Sequence, residues 1–260
     1  MKRRTKGKEI HPLEECLCAL FSAAGERPVE ADPSGLETYG EGVDRVSGVP
    51  VRENGEPLVN VAELELGVSL AASHPWSSFP RVYWVRRSVA EMLEAAQQRL
   101  PDGVHLELLE GYRPLRIQRR LFAAAYGHLR SRHPRWTPAQ LREAANVLVA
   151  DPAVAPPPHS TGGAVDVMLV DTHGQRFDMT SPLPCSEASA PTACPGVSAE
   201  ARANRALLVE ALSGAGLTNY PGEWWHWSYG EPGWAVRTSA PHAIYGPVEP
   251  PAAFRRRPAA

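Results

Sequence analysis

The sequence is short of lysine, of cysteine pairs, of long apolar runs and of net charge, and each shortage removes a class of function. Of 27 basic residues only three are lysines, Lys2, Lys6 and Lys8, a coding bias toward arginine that sets the first ten residues apart. The formal net charge of −2 leaves no basic surplus for nucleic acid and no acidic tail. The four cysteines, Cys16, Cys18, Cys185 and Cys194, contain no C-x-x-C pair, which excludes a zinc ribbon or a thioredoxin-type redox site. Cys185 and Cys194 flank a Ser/Ala/Pro loop, where a disulfide and two separate thiols are both open readings. No apolar run approaches the ~20 residues of a membrane span. The basic start is followed by an apolar patch from Leu17 to Ala24, but Glu14 and Glu15 interrupt it and the patch is short for a signal peptide, so the expected location is cytoplasmic, with export the alternative. No Gly-rich phosphate loop follows a strand, and no internal repeat or low-complexity block occurs.

What is present suffices for one real core: 260 residues, 43% of them hydrophobic. Residues 1–41 read as an N-terminal arm, in which Leu13, Leu17, Leu20 and Phe21 line one face of a short helix. Val46 to Leu66 alternates around Asn54-Gly55 and reads as one or two strands of a hairpin, and Ser73 to Pro80 as loop. Ser88 and Glu91 form a capping-box pattern ahead of Val89, Met92, Leu93, Ala96 and Leu100, and Pro101-Asp102-Gly103 ends that helix. A strand from Val104 to Leu109 and a helix from Leu115 to Leu129 follow; Thr137-Pro138 with Gln140 opens a third helix. After a proline-rich loop come a strand from Ala164 to Val170, a turn, and a partner strand from Gln175 to Asp178. Ser181 to Gly196 is a long loop, Ser198 caps a fourth helix, and a last strand covers about Glu223 to Tyr229. The expected fold is α+β, a central antiparallel sheet with flanking helices, in a domain over residues 42–235 with a Pro/Arg-rich tail over 236–260.

Three strings carry chemistry. In His159-Ser-Thr-Gly-Gly-Ala-Val-Asp166, an imidazole and a carboxylate, both good zinc ligands, flank a Gly-Gly pair that permits a tight backbone path. Alone, the string reads first as a surface histidine and a strand aspartate that never meet. In Glu223-Trp-Trp-His226, positions i and i+3 of an ideal strand face opposite sides, so a shared site requires Glu223 in the turn after Pro221-Gly222 and His226 on the strand. The tryptophans then shield the site on one side and anchor the strand on the other; an aromatic core strand is the competing reading. Arg113, in Glu110-Gly-Tyr-Arg-Pro114, ends the strand from Val104; it can stabilise an oxyanion, or be an ordinary arginine before a helix.

Together, and in this order, the three strings resemble the signature blocks of the D-alanyl-D-alanine dipeptidases, zinc peptidases related to D,D-carboxypeptidases, lysostaphin-type enzymes and the hedgehog signalling domain. The resemblance spans about Val51 to Ala235. It implies that the fold surrounds a single zinc site, one ion per chain, held by His159, Asp166 and His226. It implies that Glu223 is the catalytic base, that Arg113 stabilises the transition state, and that the partner is a small dipeptide in a confined cavity. Pro157 stands where members of the family carry a substrate-binding serine, and Glu110 replaces an aspartate that often opens the first block. For the substrate's carboxylate the candidates are Arg81, Arg86, Arg87 and Arg116, with Ser160 and Thr161 near the metal; for its ammonium, Asp178 and Glu110. A D,D-carboxypeptidase acting on peptidoglycan stems and a non-catalytic zinc-bearing binding module are the rival readings. Oligomeric state is not fixed by the sequence.

Overall fold

Strand β5, Ala164–Asp171, is buried along nearly its whole length, so both of its faces are covered, and its single mid-strand charge, Asp166, stands out against six apolar neighbours. Around it the computed structural model describes residues 41–72, 83–181 and 189–250. In chain order the helices are α1 Val43–Ser47, α2 Arg87–Gln97, α3 Leu115–Arg132, α4 Pro138–Leu148, α5 Ala199–Gly214 and α6 Pro232–Thr238. The other strands are β1 Leu58–Asn60, β2 Ser69–Leu70, β3 Trp84–Arg86, β4 Val104–Glu110, β6 Thr218–Asn219 and β7 His226–Ser228. Five strands form one sheet in the order β2-β4-β5-β7-β6, antiparallel at every pair except the parallel edge pair β2–β4; β1 and β3 form a separate antiparallel pair. The expected mixture of helices and a mainly antiparallel sheet is what the chain forms.

The core lies between this sheet and helices α2 and α5. Leu93, Leu106, Leu108, Leu169, Leu212 and Trp227 are fully buried in it, each worth ~1.5–3 kcal/mol of transfer free energy. The capping box of α4 forms as expected: Gln140 N donates to Thr137 Oγ1 at 3.3 Å and Thr137 N donates to Gln140 Oε1 at 2.9 Å. Ser198 likewise accepts from Ala201 N at 3.0 Å and opens α5.

Several local expectations are corrected by distant partners. The Ser88–Glu91 box does not form, because α2 begins at Arg87 and places Ser88 inside the first turn; the Glu56 carboxylate reaches across to accept from Ser88 N at 2.5 Å and Ser88 Oγ at 3.0 Å. Val46 to Leu66 supplies one strand, β1, whose partner is not local. Its start belongs to α1, Val51 bridges Ala243, and β1 pairs with β3, while Asn54 and Glu53 side chains accept from Glu56 N and Gly55 N within the loop. The last strand is shorter than expected, leaving Glu223 in the turn before β7. The segment read as tail is built into the domain as far as residue 250. α6 crosses residue 235, Ala243 and Tyr245 are fully buried, and Val248 N donates to Ser160 O at 3.0 Å. The expected strand Gln175–Asp178 does pair with β5, through a bridge at Val170 and Arg176 and a bond from Phe177 N to Leu169 O. The helix expected around Leu17, the loop from Ser73 to Pro80, Cys185 and the Arg255–Arg257 end lie outside the described residues. Among those described, no helix is long and apolar enough to cross a membrane.

Candidate active site

Register decides which side chains meet. On the central sheet Glu110 (β4) lies opposite Asp166 (β5), which lies opposite His226 (β7). Side chains alternate faces, so while Val165 and Val167 enter the core, the three polar residues form one cross-strand row on the other face. A register shift between Leu108 and Glu110 brings Glu110 into that row.

His159 arrives from a 3-10 turn, Pro158–Thr161, and the following glycines are required there. Gly162 has φ 73°, and a Cβ on it would lie 2.3 Å from the Leu58 side chain; a Cβ on Gly163 would lie 2.5 Å from the Tyr229 carbonyl oxygen. The buried Arg86 guanidinium, paired with Glu53 at 2.9 Å, donates from Nε to Thr161 O at 2.7 Å and pins this turn to the rest of the domain. Arg113 N donates to His159 O at 3.1 Å and Ser160 Oγ to Arg113 O at 2.8 Å, joining the first and second sequence strings.

The donor set fits a small divalent ion. One ligand atom each from His159, Asp166 and His226 lies within 4.8 Å of the others, and all three residues are buried. His159 Nδ1 is 2.9 Å from Gly111 O; a carbonyl only accepts, so Nδ1 carries a proton and, in the neutral imidazole, Nε2 is left with its lone pair. That Nε2 stands 3.4 Å from Asp166 Oδ1, and His226 Nδ1 stands 3.0 Å from the same oxygen. Ligand atoms around a tetrahedral ion with ~2.0–2.1 Å bonds are about 3.3 Å apart, close to these two Asp166 contacts, while the set as a whole spans 4.8 Å. Burial raises the Asp166 carboxyl, but His159 and His226 outweigh it and hold the group well below the usual carboxylate range. Burial lowers His159, and Asp166 outweighs it and raises the imidazole. A carboxylate buried this deeply calls for cationic company.

Glu223 sits beside them in the turn before β7. Its amide donates to Tyr220 O at 3.0 Å, and its carbonyl accepts from His226 N at 3.1 Å. Burial pushes its carboxyl up to about 7; Asp166 acts in the same direction, against His226 and Arg113. Arg113 is gripped by both oxygens of the buried Glu110, at 2.7 Å each, and by Gln118 Oε1 at 2.8 Å. After burial, which lowers it, the dominant effect is Glu110, which keeps the guanidinium firmly charged.

These residues open into one cavity of about 280 Å³, just below the ~300–1,000 Å³ range of ligand sites. Arg113, His159, Asp166, Glu223 and His226 all line it. Trp225 also lines it, while Trp224 and Trp227 are buried in the core, a division into shield and anchor. Of the candidates for the substrate termini, Glu110 alone lines this cavity among the described residues. Arg86 is a buried clamp, Glu110 is engaged by Arg113, and Asp178 accepts from Thr180 N and Ser181 N away from the cavity. Arg87, Arg116, Ser160 and Thr161 are absent from its walls, and Arg81 lies outside the described residues.

Two features were not foreseen. Asn219 Nδ2 donates to Glu223 O at 3.0 Å and to His226 O at 3.1 Å, fixing the turn that carries both residues. The Glu41–Arg237 ion pair also borders the cavity. Neither has a sequence signal, because the first acts on backbone carbonyls and the second joins residues almost 200 positions apart.

Residues 81–243 match the family model described as D-ala-D-ala dipeptidase. A D-alanyl-D-alanine dipeptidase of Synechocystis sp. is 29% identical in a 237-residue alignment that covers 77% of this chain and 95% of the relative. A D-alanyl-D-alanine dipeptidase of Escherichia coli is 35% identical over 68 residues, 26% of this chain and 35% of that relative. Among solved structures, the LdcB LD-carboxypeptidase, reported for its recognition of peptidoglycan, aligns over 72% of this chain and 73% of its own at 18% identity and a TM-score of 0.36.

Proposed function

The chain belongs to the D-ala-D-ala dipeptidase family and is a zinc metallopeptidase, and from that premise we propose that it hydrolyses the free dipeptide D-Ala-D-Ala to two D-alanines. In this reading His159, Asp166 and His226 hold one zinc ion. The observation that carries it is the convergence, in one small cavity, of a buried three-donor set, a carboxyl raised to about 7 and a fixed guanidinium. Three protein ligands and an open position are the pattern of a catalytic rather than a structural zinc.

Zinc supplies Lewis acidity, lowering the pKa of water toward ~7 and polarising a carbonyl. Glu223 takes the proton of the attacking water and returns it to the leaving amine, a role its place in the cavity beside the three donors allows. Arg113 offers positive charge to the oxyanion of the tetrahedral intermediate, and its paired bonds to Glu110 mean that little reorganisation is needed at that moment. Gly111 O, by holding the His159 Nδ1 proton, keeps Nε2 turned toward the other two donors.

The test is to give zinc-loaded protein free D-Ala-D-Ala and an N-acylated peptide ending in D-Ala-D-Ala, and to count released D-alanine. Cleavage of the free dipeptide alone, lost on chelation and in E223A with zinc retained, is the expected result. Cleavage of the acylated peptide would move the activity to carboxypeptidase chemistry. An E223A protein with full activity would remove Glu223 from the base role.

A further inference from the structure

Dialanine offers a cavity only two methyl groups, and this cavity has more apolar wall than two methyls can cover. Beside the charged residues, Val46 of α1, Leu121 of α3, Val147 at the end of α4, and Val149, Val154 and Pro156 from the following segment line the same space. Polar groups on this side are already committed. Asn146 Oδ1 accepts from Asp151 N at 2.6 Å, and Asp151 is buried in an ion pair with Arg142 at 2.6 Å. The prolines at 156 and 157 have no N–H to offer a ligand.

Part of the rim is also apolar, beside the Glu41–Arg237 ion pair. Among the described residues four large hydrophobics are notably exposed, and two of them, Val43 at 41% and Val147 at 46%, border this cavity. Exposed apolar groups that gather at the mouth of a polar site mark a surface that a ligand covers.

We propose that the apolar wall is a side-chain subsite, so that the substrates taken best are dipeptides in which one residue is a branched aliphatic larger than alanine. The inference rests on the dipeptidase reading and names its substrate class. The occupant is the substrate's own side chain, because the wall and the metal-side residues bound one continuous space. Each methylene buried there is worth about a fourfold gain in affinity, and leucine adds three carbons to alanine.

The test compares zinc-loaded full-length protein on D-Ala-D-Ala, D-Ala-D-Leu and D-Leu-D-Ala. One leucine dipeptide should show a KM at least about tenfold below that of D-Ala-D-Ala, with kcat within a few fold; which one it is assigns the wall to the first or second substrate residue. Two variants locate the effect. V147N makes the rim polar at an exposed position, and V154F narrows the wall; either should cut the leucine-to-alanine preference several-fold. Cleavage of D-Ala-D-Ala as well as or better than both leucine dipeptides overturns the inference and leaves the dipeptidase reading intact. A leucine preference unchanged in both variants overturns the assignment to this wall. No cleavage of any of the three overturns the reading and the inference together.

Discussion

The sheet side and the helix side of the cavity differ in what fixes each side chain. On the sheet side, Glu110, Asp166 and His226 are set by strand register, and each is tied by a bond of defined partner and length. On the helix side, Val46, Leu121 and Val147 are set only by bulk and by how α1, α3 and α4 happen to pack. The difference is one between chemistry and selection. Polar groups in a poorly solvated space must be placed to within a few tenths of an ångström, whereas an apolar surface tolerates any shape-compatible filling.

If that contrast is sound, the largest effects should come from the sheet side. H226A or D166A should reduce bound zinc to well below stoichiometric after dialysis, measured by elemental analysis, and activity should fall with it. Either variant keeping tight zinc would break the comparison, since the row opposite β5 would then not be the metal's seat.

The next effect sharpens it. N219A removes the amide that clamps the carbonyls of Glu223 and His226, touching no side chain of the site. Loss of such a supporting partner typically costs ten- to a hundredfold in metal affinity or rate, so kcat should fall about tenfold with the fold retained by circular dichroism. N219D, which keeps the shape but cannot donate, should fail to rescue. Unchanged kcat in both would mean that the β6–β7 pairing alone holds the turn.

The smallest effect is on the stability of the metal-free protein. The depressed Asp166 carboxyl contributes stability that is present above its unfolded value of about 4 and lost as pH falls through the folded one. The raised His159 contributes stability that is present below its unfolded value of about 6.5 and lost as pH rises through the folded one. The gap in urea midpoint between wild type and D166N, measured without metal, should therefore be widest between about pH 4 and 6.5 and narrow above it. An equal gap at pH 5 and pH 9 would show that the pair contributes nothing in its charged form.

Part of this site was readable from local sequence because local rules govern it. Gly162 and Gly163 marked the tight path after His159, and Pro221-Gly222 forced Glu223 into a turn, since an i, i+3 pair cannot share a strand face. Thr137 with Gln140, and Ser198, announced helix starts because a cap acts within one turn. The same locality misled at Ser88 and at Asn54-Gly55. There the local signal was real but weaker than a distant partner, the Glu56 carboxylate in one case and β3 in the other.

The sequence by itself determined the donor types, their order and the backbone conformations beside them, because dihedral preference and ligand chemistry belong to single residues and their near neighbours. Only the tertiary structure decided that Glu110 would grip Arg113 with both oxygens, that Gly111 would set the His159 tautomer from 48 residues away, and that three helices would give the cavity an apolar wall. Those outcomes depend on strand register and helix packing, which sum many weak contacts between remote segments, and no short stretch of the chain contains them.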